Sequence, residues 1–459
     1  MKSEISRREF VKAAGMGVAA LATRKITFGT EDSKNAPNII FILTDDQRYD
    51  QMGCAGHPWV RTPNIDRLAK EGVLFSNAFA TTALCSPSRA GFLTGCYAHT
   101  NGVLHNERCD PDANLATFPQ LLQKAGYETA FIGKWHMERT DKPRKGFDHW
   151  VSFTGQGNYY GNDLNVDGKT IKTDNYITDE LTEYALQFIK KDRKKPFMLY
   201  LSHKAIHDPQ EPAKRHEKLY DGTEMKLNLD PNDNLSTKPQ WPTKVREGWE
   251  KKMLNRMQCL AAVDESIGRI LETLENMKIL DKTVIIFAGD NGHLNGEHNL
   301  WDKRIPYEPS IRIPLIMRYP ALAKGGSRCE QMVLNIDLAP TLLELAGQPI
   351  PATVQGQSWL KTLNGQPGRE SFLYEHFLDE TDKYKRPTVL AVRTMDWKYT
   401  VYPFPDKTSR KFLTAELYDL KNDPKELNNL INNPNYAEVA EKMVKEFEKL
   451  KIQTAFKFP

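Results

Sequence analysis

Hydrophobic positions along the chain fall into two patterns: continuous apolar runs of strand length, and stretches whose apolar residues share one helical face. NIIFILTDDQ (Asn38 to Gln47) is almost wholly apolar until it stops at two carboxylates, as strands buried on both faces do. PNIDRLAKEGV (Pro63 to Val73) reads as a helix, with Ile65, Leu68 and Ala69 on one face and Gly72 as its stop. The helix FPQLLQKAGY (Phe118 to Tyr127) leads to the strand TAFIGKWH (Thr129 to His136), and TDELTEYALQFIKK (Thr178 to Lys191) leads to PFMLYLSHKAIH (Pro196 to His207). A polar, proline-containing excursion from about Asp208 to Arg246 precedes a helix over Trp249 to Met277. TVIIFAGDNG (Thr283 to Gly292) and IRIPLIMRYP (Ile311 to Pro320) are two more strands. This alternation predicts an α/β fold, a large, mostly parallel central sheet flanked by helices.

From about Ser371 the pattern changes. SFLYEHF, TVLAVRTMDWKYTVYP and AELYDL read as short strands, followed by the helix-like YAEVAEKMVKEFEKL (Tyr436 to Leu450). The expected organisation is a leading segment over residues 1–35, a main α/β domain over 36–370, and a C-terminal α+β subdomain with an antiparallel sheet over 371–459.

At 459 residues, 40% hydrophobic and 27% charged, the chain can bury a large core. A formal charge of +4 gives no basis for nucleic-acid or membrane-surface binding, so an anionic ligand needs a local basic pocket. The six cysteines form no CxxC pair, which argues against a zinc site or a dense disulfide framework. Near the start, SRREFVK (Ser6 to Lys12) precedes AAGMGVAALA (Ala13 to Ala22), an apolar run too short to span a bilayer. It resembles a twin-arginine export signal, with Arg7 and Arg8 as the pair and Phe10 and Lys12 in place. That implies passage through the twin-arginine translocase to a periplasmic or secreted location, with no integral membrane segment in the mature form.

Four apolar strands end in polar groups: Asp45 and Asp46, Lys134 and His136, His203 and His207, Asp290 and Asn291. Ligands of open α/β sheets bind outside the carboxyl ends of strands, so these groups are expected to converge. Asp45, Asp46, Asp290 and Asn291 are hard oxygen donors suited to calcium or, less so, magnesium. Asp and Asn also cap helices at strand-to-helix turns, but two such pairs at matching strand ends favour a metal. Beside a divalent ion, Lys134, His136 and His207 suit an anionic tetrahedral ester, while His203, nearer its strand, reads as structural. The loop NGHLNGEHNLWDKRIPYEPSIRIP (Asn291 to Pro314) would lie over the same strand ends and aim Lys303 at the substrate. In LCSPSRAGFLTG (Leu84 to Gly95), Pro87 favours a first helical turn and Gly95 a stop. Cys85 should therefore stand at a helix N-terminus, whose positive end favours an anionic transition state.

With these residues together, the chain resembles the type I, formylglycine-dependent sulfatases of the alkaline-phosphatase-like superfamily. CSPSR matches the C-x-P-x-R signature and AGFLTG completes its longer form. NIIFILTDDQ, GKWH, GDNG and the Lys303 loop follow in the family's order, and the resemblance runs from Pro37 to Leu430. It implies that a maturation enzyme converts Cys85 to formylglycine, with Arg89 holding the hydrated form. It implies calcium bound by Asp45, Asp46, Asp290, Asn291 and the modified Cys85. Lys134 and Lys303 would hold the sulfate oxygens, with His136 and His207 placed for proton transfer. One hydroxyl of the hydrated aldehyde would attack sulfur with Asp290 as base, and His207 with Lys303 would protonate the departing alcohol. His136 would deprotonate the second hydroxyl to expel sulfate.

The stretch GFDHWVSFTGQGNYYGNDLNVDGK (Gly146 to Lys169) resembles the N-acetylglucosamine-6-sulfatase branch and related bacterial polysaccharide sulfatases. Its aromatics serve either a sugar-binding edge or packing. The function expected is removal of sulfate from a sulfated saccharide. The alternatives are a phosphonate monoester or phosphodiester hydrolase on the same core, or a silent sulfated-glycan-binding protein.

Overall fold

Ile39, Ile40, Phe41, Ile42 and Leu43 have no solvent exposure at all, which places their strand at the centre of the molecule with both faces covered. The computed structural model describes residues 36–239, 248–381, 386–404 and 415–459; the Arg7–Arg8 segment lies outside them. In chain order the main domain starts with β1 (Asn38–Thr44), α1 (Pro63–Glu71), β2 (Val73–Phe79), α2 (Cys85–Thr94) and α3 (Phe118–Lys124). It continues with β3 (Glu128–Lys134), β4 (His149–Phe153), β5 (Asn162–Val166), β6 (Lys169–Thr173), α4 (Ile177–Lys190) and β7 (Phe197–Ser202). Then come α5 (Trp249–Asn276), β8 (Thr283–Gly289), the small ribbon β9 (Leu294–Asn295) and β10 (Trp301–Asp302), β11 (Leu315–Arg318), β12 (Ser327–Leu334) and α6 (Leu338–Leu345).

Ten strands form one mixed sheet in the order β12-β2-β11-β8-β1-β7-β3-β4-β5-β6. Its centre, β8-β1-β7-β3-β4, is parallel, while β11 pairs antiparallel with both β8 and β2. The two faces of β1 divide the core. Ile40 and Ile42 pack with residues of α1, α4 and α5, and Ile39, Phe41 and Leu43 pack with residues of α2, α3 and α6. Each fully buried aliphatic side chain contributes about 1.5–3 kcal/mol relative to exposure, so this strand anchors the sheet that carries the strand-end residues.

The helices fall close to the expected spans, Trp249–Asn276 and Ile177–Lys190 among them. The sheet is wider than the apolar runs suggest. β2, β12 and the β4–β5–β6 meander extend it, and β6 is exposed along most of its length, so it lacks the apolar run that marks the central strands. The meander also decides between two readings. Trp150, Phe153 and Tyr159 are no more than 2% exposed, and Trp150 stacks on Phe131 at 4.7 Å, so these rings are packing and form no sugar-binding edge.

Beyond α6, β13 (Ser371–His376), β14 (Val389–Thr394), β15 (Trp397–Val401) and β16 (Ala415–Asp419) make an antiparallel sheet in that order, covered by α7 (Ala437–Gln453). This sheet shares one apolar cluster with Phe79, Leu300, Ile305, Tyr307 and Ile311. It therefore packs directly on the loop between β8 and β11.

Candidate active site

Asp45 and Asp46 follow β1, and Asp290 and Asn291 follow its parallel neighbour β8, which brings the two acidic turns side by side. The Asp290 backbone N–H donates to the Thr44 carbonyl at 3.0 Å, and that of Asp46 donates to Asp290 Oδ1 at 3.0 Å. Lys134 closes β3, with His136 just beyond it, and His207 lies beyond β7. All of these side chains are buried except His207, which is partly so.

Cys85 is the first residue of α2, capped by Gly95 in a left-handed conformation. Its thiol donates to Asp45 Oδ1 at 3.4 Å and receives a hydrogen bond from Lys303 Nζ at 3.0 Å. Lys303 Nζ also pairs with Asp46 Oδ1, and Lys134 Nζ pairs with Asp45 Oδ2 and reaches Gln156 Oε1 at 2.5 Å. Arg89, one turn along α2, is 1% exposed. It donates from Nε to Asp290 Oδ2 at 3.0 Å and from Nη1 to Ser202 Oγ at 2.6 Å and the Lys134 carbonyl at 2.9 Å. Nearly the whole predicted set thus meets at one place, tied by Arg89 to three strand ends. His136 is turned aside: its Nε2 lies 3.0 Å from Glu107 Oε1 and its Nδ1 lies 3.4 Å from Ser86 Oγ.

Burial raises the proton affinity of Asp45 and Asp46, but the surrounding cations outweigh it. Lys134 and then Arg89 and Lys303 do so for Asp45, Lys303 for Asp46, and both carboxyls sit below their usual range. Asp290 goes the other way: burial and then the charge of Asp45 push it up to about 6, against Arg89. Burial lowers Lys303, yet Asp46, with Asp45 and Asp290 behind it, overcomes this and keeps it protonated. Burial pushes His207 down to about 3, so it is neutral, and its Nδ1 donates to the Asp208 carbonyl at 2.6 Å. The Cys85 thiol is driven upward by burial and then by Asp45. A cysteine held in its thiol form is a poor nucleophile, so this one does not work as an ordinary thiolate.

Ligand atoms of Asp45, Asp46, Cys85 and His207 all lie within 4.8 Å of one another, a grouping able to hold a metal ion. Asn291 supports a cation there: its Nδ2 donates to Asp46 Oδ1 at 2.7 Å, which leaves its buried Oδ1 without a hydrogen-bond partner. An orphaned amide oxygen beside carboxylates is a donor set for a hard divalent ion.

Above the cluster opens a pocket of about 160 Å³, lined in part by Asn106, Gln156, Arg256, His293 and Trp301. None of these five stood out in the sequence. Gln156 lies in a stretch rich in both aromatics and amides, His293 in the loop expected over the strand ends, and Arg256 on a long helix where polar residues read as solvated. Arg256 could have been found from helical spacing, since it shares a face of α5 with the buried Cys259, Leu260 and Val263. His203, by contrast, is wholly buried, and neither of its ring nitrogens has a hydrogen-bond partner among the described residues.

A mostly parallel sheet with acidic strand ends, a cysteine at a helix N-terminus and flanking lysines defines a hydrolase of anionic esters on an alkaline-phosphatase-like fold. The chain belongs to the sulfatase family, whose model matches residues 37–348; a second, described as N-sulphoglucosamine sulphohydrolase, C-terminal, matches residues 296–453. It is therefore an enzyme that hydrolyses sulfuric esters. It is 32% identical to the N-acetylglucosamine-6-O-sulfatase of Bacteroides thetaiotaomicron, over 95% of this chain and 90% of that protein. A solved sulfatase structure, in complex with its substrate D-glucosamine-2-N,6-O-disulfate, superposes with a TM-score of 0.83 at 31% identity, covering 92% of this chain and 98% of that one. The phosphonate monoester hydrolase of Agrobacterium radiobacter shares the fold, with a TM-score of 0.74 at 22% identity over 91% of this chain and 96% of that one. Among the described residues no helix is long and apolar enough to cross a membrane.

Proposed function

We propose that this sulfatase removes the 6-sulfate of a glucosamine residue in a sulfated saccharide, after Cys85 has been converted to formylglycine. The observation that carries the reading is Cys85 itself: a buried thiol held protonated at a helix N-terminus, with Lys303 at 3.0 Å and Asp45 at 3.4 Å. Such a side chain has little use as a thiol. Hydrated formylglycine supplies two hydroxyls on one carbon, one to attack sulfur and one whose deprotonation expels sulfate without water attacking the sulfur. Calcium supplies Lewis acidity, and Asp45, Asp46, Asp290, Asn291 and the side chain at position 85 would hold it.

The remaining steps belong to the chain's own residues. Arg89 fixes Asp290 and the β3 and β7 strand ends, so the position-85 side chain meets a rigid wall. Asp290, fixed by Arg89 at 3.0 Å, would act as base for the attacking hydroxyl. Lys134 and Lys303 hold the ester oxygens. His207 is neutral in the free site, and an anionic ester docking beside it offsets the burial that depresses it, so with Lys303 it can deliver a proton to the departing alcohol. His136 would take the proton of the second hydroxyl once its ring turns from Glu107, which holds its Nε2 in the free site. The export route rests on the Arg7–Arg8 pattern, and the maturation enzyme on the C-x-P-x-R pattern.

Peptide mass spectrometry of residues around Cys85 from the native source, with a screen of sulfated saccharides, tests this reading. The expected result is an aldehyde in place of the thiol and release of sulfate from 6-sulfated glucosamine. Strong activity in Cys85→Ala, or a clear preference for phosphate diesters over sulfate esters, would overturn it.

A further inference from the structure

The acids that line the pocket are each matched by a cation. Asp46 pairs with Lys303, Asp302 with Arg304, and Asp208 with Lys252 Nζ at 3.0 Å. Arg256 lines the same pocket and has only a distant match. It is 2% exposed, and its Nη2 donates to the backbone carbonyl of Asp46 at 3.1 Å. Among the described residues the carboxylate oxygen within reach of it is Asp46 Oδ2, at 4.0 Å, and its Nε has no hydrogen-bond partner. Other buried arginines are paired: Arg48 reaches Glu297 at 2.6 Å, Arg89 reaches Asp290 at 2.9 Å, Arg318 reaches Glu71 at 2.8 Å and Arg393 reaches Glu308 at 3.3 Å.

A guanidinium stays charged wherever it is buried, and a buried charge that is only loosely paired is costly. Leaving one at the wall of a pocket makes sense where a ligand brings the missing anion. Lys252 is one turn earlier on α5, lines the same pocket, and has a side chain 30% exposed, so the helix offers two cations on one face. In the proposed mechanism Lys134 and Lys303 already serve the ester sulfate beside Cys85, which leaves Arg256 for another anion.

We infer that Arg256, with Lys252 beside it, forms a second anion subsite that reads an additional sulfate or carboxylate on the saccharide whose ester is cleaved. The inference rests on the sulfated-saccharide reading above. Two sources fit the same chemistry: a second sulfate on the same ring, or the carboxylate of an adjoining uronic acid.

The test compares kcat/KM of the matured enzyme on glucosamine 6-sulfate, glucosamine N,6-disulfate and a disaccharide of glucosamine 6-sulfate with a uronic acid. 4-Nitrophenyl sulfate serves as the fourth substrate. One doubly anionic saccharide should be preferred by about tenfold through a lower KM, as one charge-assisted contact would give. The preferred one identifies the source. Arg256→Gln should flatten that ratio, and Arg256→Lys, which keeps the charge and disturbs the fold least, should leave it intermediate. Lys252→Gln should reduce it as well. The proposal is overturned if the wild-type enzyme shows no preference, if Arg256→Gln and Arg256→Lys keep it, or if Arg256→Gln slows all four substrates by one factor. The last result would assign Arg256 to the transferred sulfate. If the matured enzyme cleaves 4-nitrophenyl sulfate but no saccharide, the substrate reading has failed on its own. Calorimetry of the same three saccharides on Cys85→Ala, with and without Arg256→Gln, then decides the subsite by the same ratio.

Discussion

The Tyr374 hydroxyl, on β13 of the C-terminal sheet, donates to the backbone carbonyl of Arg304 at 2.6 Å and so holds the peptide next to Lys303. Lys398 of β15 adds a second tie, donating to the Pro306 carbonyl at 2.7 Å, and is itself braced by Glu426 at 2.7 Å and Glu308 at 2.9 Å. The C-terminal sheet thus sets the position of a lysine 3.0 Å from Cys85. Tyr374→Phe leaves a buried carbonyl without its donor, at a cost of about 1–3 kcal/mol in stability. The expected outcome is a melting temperature a few degrees lower and a loss of about tenfold in kcat/KM, or about 1.4 kcal/mol. The loss should be larger for a sugar sulfate than for 4-nitrophenyl sulfate, because a poor leaving group depends more on the proton Lys303 helps deliver. A lowered melting temperature with kcat/KM unchanged on both would show that the tie serves stability alone.

Gly133 fixes the other lysine. It stands at φ +123, one residue before Lys134, and a Cβ built there would lie 1.8 Å from the Ser202 carbonyl oxygen on β7. Backbone cannot yield that far, and the conformation itself disfavours any side chain. Gly133→Ala is expected to cost about 4 kcal/mol or more, the range reserved for strain of this kind. Chemical denaturation should show it, with little soluble protein as the extreme result. A variant of near wild-type stability would mean that β3 and β7 can separate without loss.

Much of this arrangement was legible before any coordinates. Runs such as Asn38–Thr44 and Thr283–Gly289 announce central strands because burial on both faces leaves no polar position until the strand ends, and there the acidic residues stand. Cys85, Arg89, Lys134, Lys303 and the acids converge because parallel neighbours end at the same edge. What escaped is of another kind. β6 is a solvent-facing edge strand with no apolar run, and the rings of Trp150 and Tyr159 look alike in sequence whether they face a sugar or a core. Arg256 was hidden because an arginine on a long helix is ordinarily solvated; only tertiary packing shows it buried. The turn of His136 toward Glu107 depends on a rotamer, and sequence carries no trace of it.

Removing the metal should weaken both chemistry and fold. Asp45, Asp46 and Asp290 are fully or almost fully buried within one cluster, and the orphaned Asn291 Oδ1 faces no protein donor. A hard divalent ion bound only by the folded state stabilises it by about 2.7 kcal/mol at one hundred times its Kd. EDTA treatment is therefore expected to abolish turnover and lower the melting temperature, with calcium restoring both better than magnesium. Asn291→Leu should remove most of the calcium-dependent rise in melting temperature. A melting temperature that chelation leaves unmoved would argue against a structural ion at this cluster.

His99 gives a pH dependence that lies outside the active site. Its Nδ1 meets Glu375 Oε2 at 2.7 Å and its Nε2 meets the Thr454 carbonyl at 3.0 Å, so both ring nitrogens face acceptors and the doubly protonated ring satisfies both. Burial lowers its proton affinity, but the hydrogen bond and charge of Glu375, with the Thr454 carbonyl, outweigh that and raise it above the ordinary histidine value. A raised folded-state value means that the contribution is fully present below about pH 6.5, the unfolded value, and is lost as pH rises through the folded value. Thr454 immediately follows α7, so the loss falls on the docking of that helix against the main domain. The melting temperature is expected to fall as pH is raised from about 6 to 8.5. Amide exchange should quicken first in residues 437–453. His99→Gln keeps one hydrogen bond at most, and is expected to cost about 1–3 kcal/mol at pH 6 and to flatten the slope. A slope unchanged in His99→Gln would place the titrating group elsewhere.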